Sequence, residues 1–284
     1  MSAARWRELS VVLPEQTAPG TVEALFALFD EIGAPGSVLF DDPHRVTAYL
    51  PDDVRADEAA VQAQRRLTSL GLVLSARVIE ETDWSEAWKA FFRPRRIGQR
   101  LVVCPSWERA DAGPDDIVLD LDPGQAFGTG DHPTTKMCLE LLERHLRPGD
   151  RVLDVGAGSG ILSIAALKLG AYRTVCCDVD PVSVEAARAN LMRNGCDDRA
   201  HVVLAEGVRW CRGTFDVCVS NIISATLVRL AADVGARLRP GGAWILSGIC
   251  RDNEKGVTLA CEEVGFTPVA RREDGDWVAL VAKR

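Results

Sequence analysis

Between Arg151 and Ile161 the chain reads Arg-Val-Leu-Asp-Val-Gly-Ala-Gly-Ser-Gly-Ile, and few folds accept such a stretch. Arg151 to Val155 forms a short apolar strand. Gly156, Gly158 and Gly160 follow at alternate positions, and Ile161 opens the helical pattern Ile161, Ile164, Ala165, Leu167, Lys168. Glycines there permit positive φ and let a ligand approach the backbone with no Cβ in the way. The N–H groups of the helix start suit an anionic group such as a carboxylate. A dinucleotide fingerprint places its third glycine at the sixth position, where Ile161 stands, which disfavours a nicotinamide-dependent oxidoreductase. A purely structural turn is the other reading of the glycines taken alone.

The next element narrows the choice. Thr174 to Cys177 is a second apolar strand, and Asp178 ends it, placed to accept both ribose hydroxyl protons of a bound nucleoside. Asp180 and Pro181 then begin a helix as N-cap and first helical residue. From Arg151 onward strands and helices alternate. Strands are expected near Val152–Val155, Thr174–Asp178, His201–Ala205, Phe215–Asn221, Ala243–Ile249, Thr267–Arg272 and Trp277–Ala282. Helices are expected near Gly160–Leu169, Pro181–Asn194, Ala225–Leu238 and Asn253–Val264. That alternation predicts an α/β, Rossmann-like seven-stranded sheet, mostly parallel, whose last two strands form an antiparallel hairpin at one edge. Gly156, Asp178 and Asn221 then all fall on the carboxyl rim, where such sheets bind ligands.

The first eighty or so residues follow a different rhythm. Trp6–Leu13 alternates as a strand and Thr21–Ile32 is an amphipathic helix stopped by Gly33. Ser37–Phe40 and Arg45–Leu50 pair across Asp41-Asp42-Pro43-His44, Ala56–Leu70 is a second helix, and Leu72–Glu80 a last strand. The order β-α-β-β-α-β predicts a small α+β ferredoxin-like domain over 1–81. Residues 82–107 read as a connector, with an aromatic helix carrying Trp84, Trp88, Phe91 and Phe92 ahead of Arg93-Pro94-Arg95-Arg96; residues 108–284 form the catalytic domain.

Composition excludes several classes. A net charge of −8 over 284 residues argues against non-specific nucleic-acid binding, so no direct DNA binding is expected, and it suits a basic protein partner. No apolar run reaches membrane-spanning length and the amino terminus lacks a signal peptide's apolar core, so the expected location is the cytoplasm, with no membrane partner. Nine cysteines without a Cys-x-x-Cys pair, and four histidines without ligand spacing, imply buried thiols and no metal.

Two more segments carry chemistry. Leu121-Asp122-Pro123-Gly124-Gln125-Ala126-Phe127-Gly128-Thr129-Gly130-Asp131-His132-Pro133-Thr134-Thr135 is too long and polar for a simple turn. It reads as a loop folding over a cofactor, with Thr135 opening a helix at Lys136–Leu146. Asn221 in Ser220-Asn221-Ile222-Ile223-Ser224 accepts a hydrogen bond from an amine, or holds the methionine part of a cofactor, or caps the next helix.

With Asp154 two residues before Gly156, the glycine turn resembles that of S-adenosylmethionine-dependent methyltransferases. Asp122-Pro123-Gly-x-Ala126-Phe127-Gly128-Thr129-Gly130-x-His132-Pro133-Thr134-Thr135 resembles the signature of the ribosomal protein L11 methyltransferase family. Asp154-x-Gly156-x-Gly158-Ser159-Gly160, Asp178-x-Asp180-Pro181, Asn221-Ile222, Leu246-Ser247-Gly248-Ile249, Cys104-Pro105-Ser106-Trp107 and Trp84-x-x-x-Trp88 match it too, so the likeness spans the chain. It implies methylation of lysine side chains and the N-terminal α-amine of a large-subunit ribosomal protein, with S-adenosylmethionine as cofactor and the small domain recognising the substrate. Thr135, Gly156, Asp178 and Asn221 carry over as cofactor contacts, with Asp154, Gly158 and Gly160 in the turn and Phe127 in the covering loop; Asn221 is the candidate catalytic residue. Asp131 and Gln125 depart from the family's pattern, and Asp131 is a candidate to orient the substrate ammonium. The rival readings are a lysine methyltransferase for another protein, such as an electron-transfer flavoprotein subunit, and a silent ribosome-assembly module.

Overall fold

The structure, a computed structural model, describes residues 5–14, 17–18, 20–34, 37–41, 44–80, 92–122 and 127–284. The chain separates into two compact units, Met1–Phe92 and Arg93–Arg284.

The smaller unit is built from β1 (Arg5–Val12), α1 (Thr21–Glu31), β2 (Ser37–Asp41), β3 (His44–Pro51), α2 (Val54–Ser69) and β4 (Leu74–Glu80). Its sheet has the order β2-β3-β1-β4 with every pair antiparallel, the ferredoxin-like arrangement. Period-two positions Leu9 and Val11 on β1, and Val46, Ala48 and Leu50 on β3, meet helical-period positions Leu25, Phe29, Ala63 and Leu67 in one core. The start of α2 is fixed by the Asp53 carboxylate, which accepts the Arg55 N–H at 2.9 Å.

The larger unit begins with β5 (Arg95–Ile97), β6 (Leu101–Pro105) and β7 (Ile117–Leu121), which form a three-stranded sheet of their own. This corrects the reading of 82–107 as connector, because β5 and β6 belong to the larger unit, which starts at Arg93 rather than 108. Leu101–Cys104 is fully apolar and buried because β6 lies inside the unit, antiparallel to β5 and parallel to β7. The expected aromatic helix, with Trp84, Trp88 and Phe91, lies outside the described residues, as do Pro123–Ala126 and the Asp42-Pro43 turn.

After α3 (Pro133–His145) come β8 (Arg151–Val155), α4 (Ile161–Lys168), β9 (Arg173–Asp178), α5 (Pro181–Arg193), β10 (Ala200–Leu204), β11 (Phe215–Asn221), α6 (Ser224–Arg237), β12 (Leu238–Cys250), α7 (Glu254–Glu263), β13 (Thr267–Asp274) and β14 (Trp277–Lys283). They form a seven-stranded sheet of order β10-β9-β8-β11-β12-β14-β13. The five strands from β10 to β12 run parallel, and β14 is antiparallel to both neighbours. From β8 the chain moves one way through β9 and β10, then crosses back to β11 on the other side. That reversal is the switch point at which doubly wound sheets open a ligand crevice. The core beneath it holds Leu153, Phe215, Cys218, Leu246 and fully buried Trp244, whose indole N–H donates to Ser220 Oγ at 3.1 Å. All nine cysteines are buried thiols.

Candidate functional site

At the end of β8 the chain must turn sharply into α4, and three glycines accomplish it. Gly156, Gly158 and Gly160 take φ of 82°, 52° and 82°, a region that side chains rarely enter. A Cβ would also collide, at Gly156 with the Ile222 side chain and at Gly158 with the Phe127 carbonyl oxygen. The turn is therefore shaped by its own chain on that side. Its N–H groups are engaged: Gly156 and Ala157 donate to the Cys177 carbonyl at 2.9 and 3.0 Å, and Ser159 donates to the Phe127 carbonyl at 2.8 Å.

Asp154, near the end of β8, lies beneath the start of α4. Asp154 is 0% exposed, and its Oδ2 accepts from Ser163 Oγ at 2.8 Å. Its Oδ1 is buried with no hydrogen-bond partner among the described residues. Burial pushes this carboxyl up to about 7; the Ser163 hydrogen bonds pull it down and the nearby Asp178 charge raises it further.

Asp178 ends β9 half-buried. Its Oδ2 accepts the Gly158 N–H at 2.9 Å and its Oδ1 the Asp180 N–H at 3.0 Å. The carboxylate is thus held rigidly against the turn, and each oxygen retains a lone pair for a ligand hydroxyl. Asp180 caps α5, accepting from the Val182 and Ser183 N–H groups at 3.0 and 3.1 Å.

Asn221 ends β11 on the same rim. The residue capping α6 is Ile223, so Asn221 is released from the capping role that its sequence position also allowed. Its Nδ2 donates to Thr135 Oγ1 at 3.1 Å, which leaves its carbonyl oxygen as an acceptor. Thr135 is buried in the first turn of α3. That helix starts earlier than the expected Thr135, because Pro133 fits the first helical position and His132 Nδ1 accepts the Thr134 N–H at 3.3 Å. His132 is consequently a structural residue. Its ring packs edge-on against Trp277 at 5.0 Å and Phe127 at 5.7 Å. Phe127 is 49% exposed, so its ring remains partly open to a ligand.

Two amides at the end of α5 that the sequence reading passed over, Asn190 buried and Asn194 partly so, bind β7 and the start of the loop to that helix. Asn190, at 0% exposure, donates to the carbonyls of Asp122 and Ser159, both at 2.9 Å, and accepts the Asp122 N–H at 2.9 Å. Asn194 makes the same paired bonds to Asp120, at 2.6 and 3.0 Å. Two amides one helical turn apart on an inward-facing stripe were the available signal. Asp131 ion-pairs with Arg95 at 2.9 Å, and burial raises its carboxyl above the ordinary range while Arg95 and Lys136 oppose the shift.

The structure thus brings Gly156, Gly158, Gly160, Asp178, Thr135, Asn221 and Phe127 to one rim of the sheet, with Asp154 buried beneath. The sheet order, the glycine turn and the carboxylate at the end of the neighbouring strand define a Rossmann-like, S-adenosylmethionine-dependent methyltransferase. The profile described as ribosomal protein L11 methyltransferase (PrmA) matches residues 14–284. The chain belongs to that family. A ribosomal protein L11 methyltransferase of Pelotomaculum thermopropionicum is 38% identical over 98% of both chains. One from Symbiobacterium thermophilum is 43% identical over 86% of this chain and 82% of its own. The crystal structure of a ribosomal protein L11 methylase from Lactobacillus delbrueckii subsp. bulgaricus superposes with a TM-score of 0.64 at 32% identity, covering 68% of this chain and 98% of that one.

Proposed function

We propose that this enzyme methylates amino groups, lysine side chains and the N-terminal α-amine, of large-subunit ribosomal protein L11. The target is the one its relatives are named for, across almost the full length of both chains. A cytoplasmic location and no direct DNA contact accompany this reading, and no described helix is long and apolar enough to cross a membrane.

The rim residues fit the cofactor. Asp178 accepts the ribose hydroxyl protons, since both its oxygens are fixed by backbone N–H groups and keep free lone pairs. Gly156 to Gly160 would hold the methionine portion, and the half-exposed Phe127 ring would cover it. Asp154 lies beneath the turn, out of reach of a ligand, and its bond to Ser163 Oγ braces the start of α4 from below. Bound there, S-adenosylmethionine supplies an electrophilic methyl on a sulfonium, so the leaving group is already activated.

What the protein must add is alignment and a neutral amine. A lysine amine at pH 7 lies roughly three units below its pKa and is almost fully protonated. Once a proton has left to water, the neutral amine would have its lone pair free to take the methyl that the sulfonium supplies, and the resulting ammonium would shed a proton to water. The observation that carries this reading is the Thr135–Asn221 hydrogen bond. With the amide nitrogen so engaged, the Asn221 carbonyl oxygen would be free to accept from an incoming N–H and align its lone pair with the methyl. The test is intact-protein mass spectrometry of purified L11 incubated with enzyme and cofactor, with Asp178→Ala in parallel. Steps of one methyl each, lost with the variant, are expected. Unmodified L11 in the presence of an enzyme that binds the cofactor would exclude this target.

A further inference from the structure

The opposite rim of the large sheet carries a feature that methyl transfer leaves unused. Adjacent strands there begin with arginine. Arg151 and Arg173 are register partners across the parallel β8–β9 pair, and Arg199 directly precedes Ala200, the partner of Thr174 on β9. Strands lie about 4.8 Å apart, so three guanidinium side chains arise from one short row. Like charges so placed repel. In a chain of net charge −8, carboxylates to separate them are plentiful, yet they are mostly directed elsewhere. Asp216 accepts the backbone N–H of Arg151 at 2.7 Å but gives its charge to Arg239. Asp198 stands 3.9 Å from Arg199, whose guanidinium also donates to the Leu167 and Ala171 carbonyls at 3.5 and 3.4 Å.

The guanidinium groups of Arg151 and Arg173 form no ion pair among the described residues. Each instead lies over an aromatic ring, Arg151 over Phe215 at 5.5 Å and Arg173 over Tyr172 at 5.7 Å. Both arginines are exposed, so their guanidinium N–H groups are accessible to a ligand. Together with Arg199, His201 and a single carboxylate, that of Asp198, they line a cleft of about 470 Å³. Planar, permanently charged forks match the geometry of phosphoryl oxygens. A lone carboxylate, with a single charge, would leave more of this row uncompensated than a polyphosphate or the successive phosphates of an RNA backbone.

We propose that this cleft is a phosphate-binding site, taking phosphoryl oxygens of a free polyphosphate or of an RNA backbone. The five residues of β8, at about 3.3 Å each, put it roughly 15 Å from the methyl-transfer rim, so both sites can be filled together.

The test compares the parent enzyme with an Arg151→Ala, Arg173→Ala double variant at low ionic strength, where such contacts are strongest. Pyrophosphate is titrated by calorimetry and a short labelled single-stranded oligoribonucleotide by fluorescence anisotropy. Circular dichroism and the urea midpoint establish that the variant is folded. Each arginine removed should weaken binding by about tenfold. Loss of oligonucleotide affinity on that scale assigns the RNA backbone; a response to pyrophosphate alone, lost in the same way, assigns a free polyphosphate. If the alanine variant fails to fold, an Arg151→Lys, Arg173→Lys pair keeps the charge and loses the fork, and binding should fall severalfold. Binding of neither probe by the parent, or binding that survives the substitutions unchanged, overturns the proposal.

Discussion

Replacing Asp154 with asparagine tests the electrostatics beneath the glycine turn directly. The carboxyl titrates at about 7 in the folded chain because it is buried, against an ordinary value of 3.8. Between those values the folded state holds a proton that the unfolded chain has released. Stability from this group is therefore complete below pH 4, is lost as pH rises toward 7, and is level above. Each pH unit separating the two values corresponds to about 1.4 kcal/mol, so the whole interval amounts to about 3–5 kcal/mol. Asparagine keeps the shape and the acceptor for Ser163 Oγ but cannot ionise. Its amide also places donors where Oδ1 has no partner, a cost of about 1–3 kcal/mol that does not change with pH. The slope, not the offset, is thus the informative quantity. Urea unfolding of the cofactor-free protein, followed by amide exchange in β8 from pH 4 to 8, gives the stability of parent and variant. The parent's stability relative to the variant should fall by about 3–5 kcal/mol across that range. A difference that stays constant with pH would refute the account of Asp154 as an acid whose charge burial opposes.

Three further outcomes follow from the site. Thr135→Val removes the acceptor that orients Asn221, and kcat/KM for the protein substrate should fall by about tenfold with the fold intact; an unchanged value removes Asn221 from the reacting edge. Gly158→Ala forces a Cβ against the Phe127 carbonyl oxygen at positive φ, so urea unfolding should show a loss of about 1–3 kcal/mol, with cofactor affinity falling in parallel; parental stability would mean that the loop and turn separate easily. Asp131→Ala should raise KM for the protein substrate by up to about fivefold with kcat nearly constant, if the carboxylate held by Arg95 attracts the substrate ammonium. Identical turnover in variant and parent ends that assignment.

How much could be read from the residues depends on whether the signal was local. The strands from β8 to β14 and their helices were legible because apolar runs there are punctuated by Gly, Pro and capping acids. The carboxyl-rim placement of Gly156, Asp178 and Asn221 followed from strand ends alone. The strands β5 and β6 were missed because the arginine cluster Arg93-Pro94-Arg95-Arg96 looked like a boundary, and because β6 finds its parallel partner β7 only after an intervening loop. The start of α3 was displaced because a histidine cap is uncommon, although Pro133 was visible in the sequence. The ownership of hydrogen-bond donors was not legible at all. Nothing in Gly-x-Gly-x-Gly says that its N–H groups go to Cys177 and Phe127 carbonyls instead of to a ligand.

That last difference alters how the glycine turn works. The turn is described well as a hub at which three parts of the larger unit meet. Ser159 donates to Phe127 through its N–H and to Gly128 through its hydroxyl at 2.7 Å, which joins the covering loop to the turn. Asn190 joins Ser159 and Asp122 to α5, and Gly158 joins the turn to Asp178. The loop, the turn and Asp178 are thereby fixed relative to one another, so the groups proposed to face cofactor and amine are set before either ligand arrives. For a reaction whose leaving group is already activated, alignment is the main contribution a protein can make, and pre-formed alignment costs the least ordering entropy on binding. The glycines are thus needed less for the room they leave a ligand than for the closeness they permit between Phe127, Ile222 and the turn itself.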